Sequence, residues 1–394
     1  MTYSKWNSYL GWLIFAIASA VYLMTIESTA SLWDCGEYIT AAYKLEVGHP
    51  PGAPLFMVLG RLFSFFAAPE NVAVYINALS AISSSLTILF MFWSLTLLIK
   101  KIVLKQGDAL SGANQAAIFS AAAIGSLAYT FSDSFWFSAV EGEVYAMSAL
   151  FTAIVFWAIL KWEAIADEPR ADRWLLFIAY IMGLSIGIHL LNLLTIPAIA
   201  FVYYFKKTKN PTTTGIFKTF GIGVLILAVI QYGIIQYLVK IGAYFDLFFV
   251  NTLGTGFGMG VLFFAILLIG GMVWAIRYSI QQNKKILNLA LLSTVLIIFG
   301  YASFAMIIIR AQAKPNLNNS DPDNAFSFLS YLNREQYGDE PLLSGRYFDA
   351  KPTDIFETGN VYRKDGDKYV VAKKKYDYTF DHTTLFPRVY SDKH

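Results

Sequence analysis

Four side chains able to move protons or hold a cation, Asp34, Glu37, Glu46 and His49, lie in the stretch LWDCGEYITAAYKLEVGHPPGAPL, Leu32 to Leu55, directly after an apolar run. Asp34 and Glu37 are three residues apart, a spacing that places both carboxylates on one face of a helix. The segment DCGEYITAAYKLEV reads as a short interfacial helix with Asp34 at its start. A capping aspartate would account for Asp34 alone, but not for Glu37 or the GHPPGAPL that follows. There Pro50, Pro51 and Pro54 with Gly48 and Gly52 forbid a helix and fix a rigid turn. Irregular backbone at membrane depth lines a cavity or is buried in protein. Glu141 and Glu143 in SAVEGEVYAMSAL and His189 in GIHLLN are further candidates. Each also has a plainer reading: the glutamates as solvated acids favoured at a helix N-terminus, the histidine as a satisfied interfacial residue.

The elements that position these groups follow from composition. Hydrophobic residues make up 56% of the 394 and charged residues 14%, against about 25% charged in an ordinary soluble domain, and the mean hydropathy is +0.51. At roughly 20 apolar residues per crossing, the chain accommodates about nine spans. They lie near 9–26, 72–99, 115–131, 143–160, 174–188, 190–205, 217–239, 257–276 and 286–309, the fifth and sixth short and meeting at His189. The first is too long for a signal peptide and reads as retained. Lys and Arg crowd alternate loops: Lys5, KKIVLK, KWEAIADEPRADR, KKTKN and RYSIQQNKK. That bias orients the N-terminus inward and places Asp34, Glu37, Glu141, Glu143 and His189 together on the outer face.

The net charge of +3 gives no footprint for nucleic acid, and the single cysteine, Cys35, excludes an intrachain disulfide and a Cys-based metal cluster. No phosphate-cradling glycine loop is present. From Arg310 onward Pro, Asn, Asp and charged residues dominate, and VYRKDGDKYVVAKKK reads as a hairpin about an Asp-Gly turn. The organisation expected is a bundle over 1–309 with an external loop at 27–71, and a small external α+β extension over 310–394 that is incomplete or packs against something else.

Four separated motifs carry a resemblance: SLWDCGEYITAAYKLEVGHPPGAPLFMVLGRLFS, FWFSAVEGEVYAMSAL, GLSIGIHLLNLLTIP and YLNREQYGDEPLLSGRYF. Together they resemble the integral-membrane glycosyltransferase family common in Bacteroidota, of the GT-C superfamily, that includes the eukaryotic protein O-mannosyltransferase of plexin-type IPT domains. The resemblance implies an α-helical polytopic GT-C-like bundle in the cell's inner membrane and a polyprenyl-phosphate-linked donor, with mannose the expected sugar. It also implies Asp34 as catalytic base, Glu37 as the second acid, and His49, Pro50 and Pro51 as the His-Pro-Pro turn. Longer relatives continue past the position of His394.

The chemistry of the residues suits that reaction. A Ser or Thr hydroxyl is a poor nucleophile, and a carboxylate within hydrogen-bond reach can take its proton as the bond to the anomeric carbon forms. One in-line displacement inverts that centre. The departing phosphate needs fixed positive partners, for which Arg310, Arg61 and His49 are the candidates, with Lys44 and His189 also on the correct face. Glu141, Glu143, His189, Pro50 and Pro51 would line the cleft. No cofactor is required, although Asp34, Glu37, Glu141 or Glu143 could hold Mg²⁺ or Mn²⁺. Expected partners are the lipid-linked donor, membrane lipids and an exported protein acceptor. Transfer to a lipid or glycan would use the same chemistry. A transporter or flippase would place ionisable groups at span centres, where this sequence has almost none. The charge bias is tested by topology reporters: one active only outside the cell, fused after Phe348, should give signal, and its cytoplasm-active counterpart should stay silent.

Overall fold

The computed structural model of the chain describes residues 2–105, 107, 110–338, 341 and 343–387. The helices are α1 (Tyr3–Met24), α2 (Cys35–Lys44), α3 (Pro54–Ser64), α4 (Val72–Lys105), α5 (Gly112–Thr130), α6 (Asp133–Ala139), α7 (Val144–Ile165), α8 (Arg173–Ile186), α9 (Ile196–Lys207) and α10 (Thr213–Ala228). They continue as α11 (Leu238–Asn251), α12 (Met259–Gln281), α13 (Lys285–Tyr301), α14 (Ala305–Gln312) and α15 (Ala325–Leu332). Strands β1 (Ser344–Arg346), β2 (Pro352–Asp365), β3 (Lys368–Phe380) and β4 (Thr383–Leu385) follow. Among the described residues, six helices are long and apolar enough to cross a membrane: Tyr3–Met24, Pro69–Lys105, Val144–Ile165, Thr213–Asn251, Met259–Gln281 and Lys285–Gln312. The other three apolar segments form shorter helices, α5 of 19 residues, α8 of 14 and α9 of 12. This is a multi-pass helical membrane protein with a small β tail. α12 makes the point most simply, being apolar all round with almost none of its surface buried by protein, so lipid must solvate it.

Contacts gather the residues into two units, 1–48 with 52–234 and 270–318, and 49–51 with 235–269 and 319–394. In the first, α1, α4, α5 and α6 share a core of Ile14, Ala18, Tyr22, Ala81, Ile88, Phe92, Phe119 and Phe135. The Tyr22 hydroxyl is buried there and donates to the Thr130 carbonyl at 3.0 Å, as a hydroxyl away from water must. The aromatic FSDSFWFS folds as α6 and places Phe135 in this core. α8 crosses α13 glycine to glycine: a Cβ on Gly300 would collide with the Gly183 backbone, and one on Gly183 would meet the Ile297 carbonyl. Without a hydrophobic force between helices in lipid, backbones that approach this closely gain their contact from packing itself.

In the second unit, the Asp365-Gly366 turn closes the β2–β3 hairpin as expected, with Gly366 at φ +59°. The hairpin docks on α11 through a polar knot. Asp246 is 1% exposed; its Oδ1 accepts from Gly258 N at 2.8 Å and Gly260 N at 3.1 Å, and its Oδ2 from the Tyr369 hydroxyl at 2.8 Å. Asn251 brackets the same residue, donating to the Tyr369 carbonyl at 2.7 Å and accepting its N–H at 2.9 Å. Ala243, Val250 and Phe326 pack around the knot. Tyr369→Phe would leave a buried carboxylate oxygen without its donor, a loss of about 1–3 kcal/mol. Amide hydrogen exchange in β2 and β3 should accelerate by the corresponding factor.

Candidate active site

The acids expected to converge do so at one end of the first unit's helices. Asp34 immediately precedes α2 with helical backbone angles, and its carboxylate makes no capping bond. It remains exposed, so capping does not account for its position. Cys35 and Tyr38 face inward beside it. Glu37 is half-buried, and its carboxylate lies against Gly48, where an added Cβ would stand 2.7 Å from Oε1. A side chain at Gly48 would therefore displace the Glu37 carboxylate from this position. Ligand oxygens of Asp34 and Glu37 come within 4.8 Å of one another, a spacing at which two carboxylates can hold one hard cation between them.

Glu141 and Glu143 arrive from the loop before α7 and differ from Asp34 in burial, at 4% and 7% exposure. Ser31 Oγ donates to Glu141 Oε2 at 2.6 Å and lies 3.1 Å from Cys35 Sγ. Glu143 caps α7, Oε1 accepting from Val144 N at 3.1 Å, the service an acid renders a helix N-terminus. Burial, then the carboxylates of Glu143, Asp34 and Glu37, push the Tyr38 phenol above its ordinary range. Tyr145, one residue into α7, lies within reach of the Glu143 and Asp34 charges and places its ring 5.5 Å from that of His189. His189 Nδ1 accepts from Leu191 N at 3.2 Å, which puts the ring proton of the neutral form on Nε2.

Sequence reasoning missed what gathers these loops. Asn77, 1% exposed in α4, donates through Nδ2 to the carbonyls of Glu27 at 2.8 Å and Thr29 at 3.0 Å, while Ser80 donates to the Glu143 carbonyl at 3.3 Å. Glu27 N donates to the Val140 carbonyl at 3.1 Å and completes the tie. The signal was present: Asn77, Ser80 and Ser84 recur at i, i+3 and i+7 along one face of an otherwise apolar span.

The two candidate arginines bond to backbone carbonyls. Arg61 Nη1 donates to the Tyr43 carbonyl at 2.6 Å and Ser64 Oγ at 3.3 Å. Arg310 donates through Nε to the Leu45 carbonyl and through Nη2 to that of Lys44 at 3.4 Å. Both guanidiniums thus meet the C-terminal end of α2, away from Asp34. His49, Pro50 and Pro51 fall in the second unit, where the Tyr331 hydroxyl donates to the His49 carbonyl at 3.3 Å and the Pro50–Pro51 peptide is cis.

The fold and this end of it define a multi-pass membrane protein with an acid-lined site where loops meet helix ends. Residues 34–212 match the model of the protein O-mannosyl-transferase TMEM260 N-terminal domain. The chain is 29% identical over 184 residues to protein O-mannosyl-transferase TMEM260 of Mus musculus, covering 46% of this chain and 23% of that one. It is 27% identical over 201 residues to the Dictyostelium discoideum protein of the same name, covering 49% and 22%. Through this region the chain is related to the protein O-mannosyltransferase family, as its motifs implied, and it spans less than a quarter of the length of these relatives. Residues 338–394 match a separate family of unknown function, DUF8416. No solved structure matches. The family region opens on Asp34, holds Asn77, both glutamates and His189, and ends before Arg310.

Cys35 reports on the tie. Burial pushes its thiol up to about 12, so at pH 8, where a free thiol of pKa near 8.5 is roughly a quarter ionised, maleimide should label it very slowly. Asn77→Ala releases the 27–31 loop and should raise that rate about tenfold or more, read directly because the chain has no other cysteine.

Proposed function

We propose that the chain transfers a sugar, mannose, from a polyprenyl-phosphate carrier to Ser or Thr hydroxyls of exported proteins, with inversion, at the outer face of the cell's inner membrane. Its N-terminus is then cytoplasmic. The helices to residue 309 carry the catalytic bundle, and residues 310–394 extend on the outer side. A prenyl tail stays in lipid and its phosphate at the interface, so the reacting carbon comes to where loops meet helix ends.

The observation that carries this reading is the division among the acids. Glu141 and Glu143 are buried and accept hydrogen bonds from Ser31 and Val144, whereas Asp34 stays exposed beside them. A general base must reach an incoming hydroxyl, and Asp34 is the acid with that access. The acceptor oxygen attacks the anomeric carbon, its proton passes to Asp34, and the carbon–oxygen bond to phosphate breaks with the electron pair leaving on phosphate. His189, held beside Tyr145 with its proton on Nε2, would donate to the phosphate as charge develops. The relationship to protein O-mannosyltransferases supports the sugar and the acceptor class.

Asp34→Asn keeps volume and removes the base. With polyprenyl-phosphate mannose and a Ser/Thr-rich exported polypeptide, transfer should fall by about 10² to 10⁴ while donor binding persists. Normal transfer by the variant overturns Asp34 as base. Label entering lipid or glycan instead of polypeptide overturns the acceptor class and leaves the chemistry standing.

A further inference from the structure

Every carbonyl that closes α2 has a partner, and three of these carbonyls are met by two arginines from other helices. Leu45 takes the left-handed conformation, φ +50°, and its N–H reaches the Ala41 and Ala42 carbonyls. Glu46 N adds a 2.9 Å bond to Ala41. The next three carbonyls, of Tyr43, Lys44 and Leu45, are met by Arg61 from α3 and Arg310 from α14. The Arg61 guanidinium is sandwiched by the Tyr43 and Phe65 rings, at 5.3 and 4.6 Å. Immediately after, Val47 N donates to the Leu317 carbonyl at 3.0 Å. A ten-residue helix has little stability of its own, and the last carbonyls of a helix carry partial negative charge that attracts cations. Two cations from distant segments therefore fix the end of α2 opposite its acids.

We propose that Arg61 and Arg310 are positioning residues: by clamping the C-terminal carbonyls of α2 they hold the helix axis, and with it Asp34 at the other end, in register with the loop that carries Glu141 and Glu143. The inference rests on the reading of Asp34 as base and replaces a role for either arginine on the donor phosphate. The planar fork is what spans successive carbonyls, so lysine keeps the charge and loses the clamp.

The test uses the full chain in lipid nanodiscs, with Arg61→Lys and Arg310→Lys made alone and combined with Asp34→Asn. Polyprenyl-phosphate mannose and the exported polypeptide are the substrates. A positioning role lowers kcat about tenfold with the donor KM within about twofold, and the arginine change costs nothing further once Asp34 is Asn, because residues that act through one another are non-additive. Maleimide labelling of Cys35, on the first turn of α2, should quicken in both lysine variants. A tenfold rise in donor KM at unchanged kcat would make the arginines phosphate ligands and overturn the proposal. So would an equal fold-loss with and without Asp34, which marks general destabilisation. If Asp34→Asn alone is fully active, the base assignment falls. Cys35 labelling then decides the clamp separately, and an unchanged rate ends it.

Discussion

The acid-bearing loops are held in place by one carboxamide inside a span. A loop that returns into an apolar surrounding brings carbonyls that water cannot reach, and each unpaired one carries a desolvation cost. Asn77 answers two of them, at Glu27 and Thr29, and Ser80 answers that of Glu143. Because Asn77 sits in α4, packed against both α1 and α7, the loop after α1 and the loop before α7 are referred to one rigid element. The Ser31–Glu141 bond then joins loop to loop. Asp34, three residues beyond Ser31, inherits its position from that tie.

α2 is oriented by electrostatics at both ends. Its N-terminal end carries Asp34 and Glu37, its C-terminal end meets two guanidiniums, and this is the arrangement the helix dipole favours. The same polarity serves the chemistry proposed. The acid end carries the exposed Asp34, while the guanidiniums at the other end are engaged with backbone carbonyls; in the chemistry proposed, the hydrogen-bond donor toward the phosphate is His189 beside Tyr145.

Local features were legible in the sequence because local rules govern them. The three-residue spacing and the proline-rich stop delimited α2, and the Asp-Gly turn between alternating strands marked the hairpin. Grouping Asp34, Glu37, Glu141, Glu143 and His189 needed only topology, since alternate loops share a membrane face. Arginine roles were not legible: Arg310 reads the same whether its fork meets phosphate or carbonyl, and its partners, Lys44 and Leu45, are 266 and 265 residues away. The tail gave a similar difficulty. Its hairpin lacks the apolar content for a core, and what it packs on is set by Asp246, which falls in the connection between the spans drawn at 217–239 and 257–276 but in the structure lies within α11. Length was the third. α8 and α9 fall short of the spans drawn for them because a 3₁₀ stretch, Leu190–Thr195, takes up residues between them.

Four acids at one site need not do four jobs, and burial sorts them. A carboxylate removed from water is tolerated only when hydrogen bonds hold it, and once held it is poorly placed to accept a proton from a substrate. Glu141 and Glu143 have made that exchange: they join loop to loop and cap α7. Asp34 differs from them in exposure: its carboxylate does not cap α2, and the residue stays open to solvent. In the chemistry proposed, the buried pair thus serves the exposed acid: the Ser31–Glu141 bond and the Glu143 cap add to the Asn77 tie that sets where Asp34 stands.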